Sequence, residues 1–125
     1  MRRLADEGRW SDAAAQCDRL LERDQLNAAL HFYQALIHEQ TRRDQDAEQS
    51  FRRAIYLDRN FALAHYHLAL LLDKSGRRDS ALQSLRNVQG LLARMNSSDP
   101  IADADGLTAE DLRRLTSMHL DLWRK

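Results

Sequence analysis

The sequence predicts an all-α solenoid of helical hairpins with one further helix at the C-terminus. Three observations predict it. The chain repeats itself at an offset of 34 residues: Ala13, Ala47 and Ala81 coincide, as do Arg9, Arg43 and Arg77, and Ala35 falls on Ala69, Gly8 on Gly76 and Asp24 on Asp58. Two apolar columns recur at the same offset, Cys17, Phe51 and Leu85, then Leu20, Ala54 and Val88. Small residues let paired helices approach closely, and the larger column fills the groove between successive pairs. Finally, four glycines and one proline in 125 residues leave few helix breakers, among many Ala, Leu, Arg and Gln.

The elements follow in order. Helices are expected near 1–7, 12–23, 27–40, 44–57, 61–74, 79–95 and 109–123. Gly8 and Gly76 mark turns inside a pair, where positive φ costs glycine little. Ser11 and Asp44 read as N-caps. Residues 96–108 form a linker by composition, since they are rich in Asn, Ser, Asp, Pro and Gly. Thr108 then caps the last helix, with Asp111 in the capping-box position where Glu or Gln is usual. Leu112, Leu115, His119, Leu122 and Trp123 form its apolar stripe, and Glu110, Asp111, Arg113, Arg114 and Asp121 lie largely opposite.

Paired helices at a period of 34 resemble the tetratricopeptide repeat. The implied fold is a right-handed solenoid within one domain: repeats at 1–27 (truncated), 28–61 and 62–95, the linker at 96–108, and a capping helix at 109–125. The proline that the repeat favours near its end is replaced by Gln25 and Arg59. Met1 falls in the middle of a first helix, so the chain is expected to be a fragment of a longer protein.

A narrower resemblance begins near residue 44. Phe51-Arg-Arg-Ala-Ile-Tyr-Leu-Asp58, Phe61-Ala-Leu-Ala-His65-Tyr-His-Leu-Ala69, Leu91-Leu-Ala-Arg-Met95 and Asp105-Gly-Leu-Thr108 are similar to the C-terminal repeat tail of CheR-type chemoreceptor methyltransferases. Those enzymes methylate receptor glutamates with S-adenosylmethionine. The resemblance implies a non-catalytic regulatory tail in chemotaxis signal transduction, joined in cis to a methyltransferase domain. It carries over no catalytic residue and no cofactor.

Composition excludes other classes. Nineteen basic side chains balance nineteen acidic ones, which argues against nucleic acid as partner. No apolar run reaches a membrane span or a signal peptide, and the single Cys17 rules out an internal disulfide, so a cytoplasmic protein is expected. His65 and His67 point apart on a helix, and His31 and His65 are repeat equivalents, so the five histidines read as structural rather than as metal ligands. Asp103-Ala-Asp105-Gly106 resembles half of a calcium loop but lacks the bidentate acid. No nucleophile–base set and no phosphate loop is visible, so no enzyme, cofactor or metal is expected in this chain.

Two candidate binding surfaces remain. First helices of such repeats line a concave groove, here through Ala29, Phe32, Leu36 and Glu39, then Leu63, Tyr66, Leu70 and Asp73, flanked by Tyr33 and His67. The relatives that clamp a peptide carboxylate place Lys and Asn in this groove; Lys74 and Lys125 are the two lysines here, and neither falls in those positions. An apolar, aromatic-bearing groove fits an apolar or amphipathic helical segment of a protein or peptide. The alternatives are that the last helix itself fills the groove, or that the repeats are purely structural or oligomerising. Arg9, Arg43 and Arg77 form a second candidate, an edge for an acidic partner, although cations also suit the helix C-terminus that precedes each.

Overall fold

Arginine begins three of the helices, and it does so with one backbone geometry: Arg9, Arg43 and Arg77 have φ of −90°, −104° and −99°, with ψ of 66°, 66° and 67°. The helices so begun are α1 (Trp10–Arg23), α3 (Asp44–Leu57) and α5 (Arg78–Leu92). Between and after them run α2 (Ala28–Gln40), α4 (Ala62–Lys74) and α6 (Ala109–Trp123) in a computed structural model that describes residues 9–124. The helix expected at 1–7 and the turn at Gly8 lie outside the described residues.

The caps correct two expectations. Ser11 lies inside α1 and Asp44 is the first residue of α3; Arg9 and Arg43 hold the cap positions with no side-chain cap bond. Carboxylates inside the first turn, Asp12, Asp44, Asp46 and Asp79, complement the exposed N–H groups instead. Asn27 caps α2 by accepting from Leu30 N–H at 3.1 Å. The helix expected at 79–95 ends at Leu92, with turn residues following.

The turns within the hairpins share a C-terminal motif. Arg43 N–H donates to His38 O at 2.8 Å and Arg77 N–H to Leu72 O at 2.9 Å, the long bond of a Schellman ending. The left-handed residue of that motif is Gly76 (φ 81°) in one hairpin and Arg42 (φ 62°) in the other. A side chain at positive φ costs about 1 kcal/mol relative to glycine. Arg42→Gly is therefore expected to stabilise by about 0.5–1 kcal/mol and Gly76→Arg to destabilise by a similar amount, read from urea midpoints.

The chain divides into two units, residues 1–59 and 60–125. In the first, Ala13, Cys17, Leu21 and Ile37 form a buried cluster with Trp10, Ala14 and Leu30 against it. Ala35, Ala47, Phe51 and Ala54 are fully buried, as the repeat columns require. In the second unit, Ala69, Ala81, Leu85 and Val88 repeat that pattern at 0% exposure.

The second unit also contains the extra helix. Arg113 near the start of α6 donates to Leu92 O at the end of α5 and to Met95 O in the turn that follows, while Trp123 O at the end of α6 accepts from Arg78 at the start of α5. The two helices therefore run antiparallel. Ala109, Leu112, Thr116, Leu120 and Trp123 are the buried stripe of α6. Leu122, expected in that stripe, is 55% exposed, and Leu120 takes the buried place. Arg113, expected on the outer face, is half-buried against the α5 carbonyls, where a cation suits the helix C-terminus.

Thr108 and Asp111 form the expected capping box: Thr108 Oγ1 accepts from Asp111 N–H and Asp111 Oδ2 from Thr108 N–H. Thr108 N–H, and after it the Thr108 hydroxyl, donate to Asp111 Oδ2 and hold that carboxyl below its ordinary range. The segment read as a linker is an internally bonded loop. Ile101 N–H donates to Leu107 O at 2.8 Å, Ala109 N–H to Asp99 O at 2.9 Å and Glu110 N–H to Ser97 O at 3.1 Å, with Ile101 buried beneath.

Candidate functional site

The groove positions fall on the first helix of each hairpin, and each unit treats them alike. On α2, Phe32 is 1% exposed, 5.7 Å from the Tyr33 ring and 5.9 Å from Phe51. Tyr33, Leu36 and Glu39 are half-buried and keep part of their surface. On α4, Leu63 and Tyr66 are buried, while His67, Leu70 and Asp73 are half-buried. Within the first unit Phe32 thus lies beneath its half-buried neighbours on α2, and within the second Leu63 and Tyr66 lie beneath those on α4.

Tyr66 is covered by a helix far away in sequence. Its hydroxyl and His119 Nε2 share a hydrogen bond of 3.0 Å, and the two rings lie 5.7 Å apart. His119 stacks at 5.3 Å on Trp123, and the Arg78 guanidinium lies 5.7 Å from the Trp123 ring. Arg78 also donates to Asp73 Oδ1 at 2.6 Å. Two groove positions, Tyr66 and Asp73, are in this way tied to the last turn of α6. His119 and Trp123 were legible as members of an apolar stripe; their partners were not, because residues 53 apart in sequence show no periodic relation. Arg78 gave no signal beyond its charge.

Burial pushes Tyr66 above its ordinary value and drives His67, whose ring meets Tyr66 at 5.8 Å, down to about 4. His67 is therefore neutral near pH 7. Because its folded value lies below the unfolded 6.5, the unfolded chain binds a proton first as the pH falls. Stability is then complete above pH 6.5 and is lost toward pH 4, by up to about 3 kcal/mol. His67→Gln should flatten that slope in urea titrations between pH 7 and pH 4.

Elsewhere in the first unit, Asp18, Gln34 and Ser50 bridge α1, α2 and α3: Gln34 Nε2 donates to Asp18 at 3.4 Å and Ser50 to Gln34 Oε1 at 3.0 Å. A cleft of about 350 Å³ opens beside them among His31, Gln49 and Arg53. His31 Nε2 lies 2.8 Å from Gln25 O, a bond that orients the ring locally. Cys17 is fully buried and donates to Leu30 O at 3.4 Å; burial, then Asp18, pushes its thiol up to about 11.

The arginine edge is partly neutralised within its own helices. Arg9 pairs with Asp12 at 2.8 Å and Arg43 with Asp46 at 3.2 Å, all four side chains largely exposed. Among the described residues, no group of three or more His, Cys, Asp or Glu could hold a metal ion, and no helix is long and apolar enough to cross a membrane.

Comparison with known proteins agrees with this architecture. The tetratricopeptide-repeat family profile matches residues 2–62. The type III secretion translocator chaperone SycD of Yersinia enterocolitica is similar in structure, with a TM-score of 0.82 at 16% identity over 98% of this chain and 77% of that one. SycD in complex with a peptide of the translocator YopD gives 0.83 at 16% identity, over 98% and 85%. The TPR2B domain of yeast Sti1, in a complex named for Hsp70, gives 0.72 at 19% identity, over 94% and 90%. No relative was found among curated protein sequences.

Proposed function

Because the fold is that of tetratricopeptide repeats, we propose that this chain is a protein-interaction module whose first helices take an amphipathic helical segment. The observation that carries the reading is that each unit keeps a half-buried triplet on its own first helix: Tyr33, Leu36 and Glu39 on α2, and His67, Leu70 and Asp73 on α4. Each triplet places aromatic or imidazole and aliphatic surface beside one carboxylate, without a lysine. That pattern suits an apolar stripe flanked by a basic residue better than a peptide carboxylate. Structures of similar fold hold segments of other proteins, a YopD peptide on SycD and the chaperone-binding region of PopD on PcrH, which supports the same use here. The test is a display selection of amphipathic helical peptides against the full chain. Selected peptides should lose at least about ten-fold in affinity to Leu36→Arg or Leu70→Arg, since a buried unpaired charge at an apolar contact costs more than 1.4 kcal/mol. Affinity unchanged by both substitutions would reject the face.

The finer reading is the regulatory tail of a cytoplasmic chemoreceptor methyltransferase, with the catalytic domain in cis and no chemistry in this chain. The residue strings quoted above, within 44–125, support it. Methylation of a receptor fragment by the parent protein, with and without residues 1–125, tests it. A purely structural or oligomerising role is the second reading, favoured by α6 covering Tyr66. Sedimentation over a range of concentrations would reveal self-association, and a selection that returns no binder would favour this role.

A further inference from the structure

We infer that the last turn of α6 is a releasable latch on the interaction face of α4, and that a basic amphipathic helix is the partner that opens it. The inference rests on the proposed interaction function. Tyr66, Leu70 and Asp73 stand at intervals of four and three on one stripe of α4, about two turns from end to end. The last turn of α6 grips both ends of that stripe. At one end, His119 covers the Tyr66 ring and bonds its hydroxyl at 3.0 Å. At the other, Arg78 bridges Asp73 at 2.6 Å and the Trp123 carbonyl at 2.8 Å while lying over the Trp123 ring.

This grip differs in kind from the rest of the α6 interface. Leu112 and Thr116 are fully buried, and Arg113 is fixed to the α5 carbonyls, so the N-terminal half of α6 is anchored. The C-terminal turn also buries Leu120 and Trp123, at 3% and 9% exposure, but what reaches the α4 stripe itself is one hydrogen-bonded ring contact and one cation that serves two acceptors; Leu122 beside it is 55% exposed. Arg78 is the exchange point. A partner cation that pairs with Asp73 competes for the carboxylate that orients Arg78 and so loosens the hold on Trp123. An apolar partner residue can then replace His119 over Tyr66. Ligand and latch share Tyr66 and Asp73, so each weakens the other by the same factor.

The test uses the full chain with Trp10→Phe, which leaves Trp123 the only tryptophan. The probe is a display-selected helical peptide whose binding depends on Leu70. Saturating peptide should shift Trp123 emission to the red and raise its quenching by iodide at least two-fold. Tyr66→Phe keeps the ring and deletes the bond to His119, and His119→Ala deletes both contacts. Each should bind the peptide more tightly, by about five-fold for Tyr66→Phe, since one net hydrogen bond no longer opposes the ligand. Circular dichroism confirms folding, and Tyr66→Phe serves if His119→Ala unfolds. A peptide that needs Leu70 yet leaves Trp123 unchanged, or binds Tyr66→Phe no more tightly, overturns the latch and leaves the interaction function standing. If no peptide depends on the α4 face in any variant, both fall.

Discussion

A chain ended at Asn96 should lose most of the stability of its second unit and aggregate. Leu112, Leu120 and Trp123 would go, each 9% exposed or less, and Leu85, Val88 and Leu92, now at 0–1%, would lose covering surface. Burying a large apolar side chain contributes about 1.5–3 kcal/mol, so the loss is about 5 kcal/mol or more. That is comparable with the whole stability of a domain this size. Melting followed by circular dichroism, with gel filtration of the truncated chain, reads the outcome. A soluble truncation with an unchanged midpoint would show that α6 does not contribute to the core. Leu112→Ala is the milder form, expected to cost about 2–5 kcal/mol in the intact chain.

Phe51→Ala should cost about 3–5 kcal/mol in the first unit. Phe51 is 0% exposed, its ring is 5.9 Å from that of Phe32, and it stands in the column that Cys17 and Leu85 share. Truncation leaves a cavity that the neighbouring Ala47 and Ala54, both at 0%, are too short to fill. Pairing it with Phe32→Ala should give a combined loss that departs from the sum by about 0.5–1.5 kcal/mol, the worth of an aromatic pair beyond its area. Ala47→Leu, which overpacks the same interior, should cost about 1–3 kcal/mol. Urea unfolding measures all three. If Phe51→Ala and Ala47→Leu were both silent, the column would not be core.

The period of 34 by itself determined the hairpins, the buried alanines, the apolar column of Cys17, Phe51 and Leu85, and the boundaries of the described repeat helices, all but one within two residues. It could do so because each of those properties is local or periodic. A small residue every 34 positions records a close helix contact, and Thr108 with Asp111 records a helix start, wherever the rest of the chain lies. Tertiary structure decided the rest. Arg42 takes a left-handed conformation because its turn closes with the same long bond as the turn at Gly76, although nothing in its own residue type favours it. The apparent linker folds because Ile101 N–H donates to Leu107 O within it, and its Ser97 and Asp99 carbonyls accept the first amides of α6. On α6, several of the residues between Leu112 and Trp123 are apolar in more than one direction. Leu120 rather than Leu122 is buried because Arg113 and Trp123, held to the two ends of α5, set the rotation of the helix. The repeat assigns Tyr66 a groove position, but its cover cannot be read from the sequence. His119 lies 53 residues away, and only the docking of α6 brings their polar atoms to 3.0 Å.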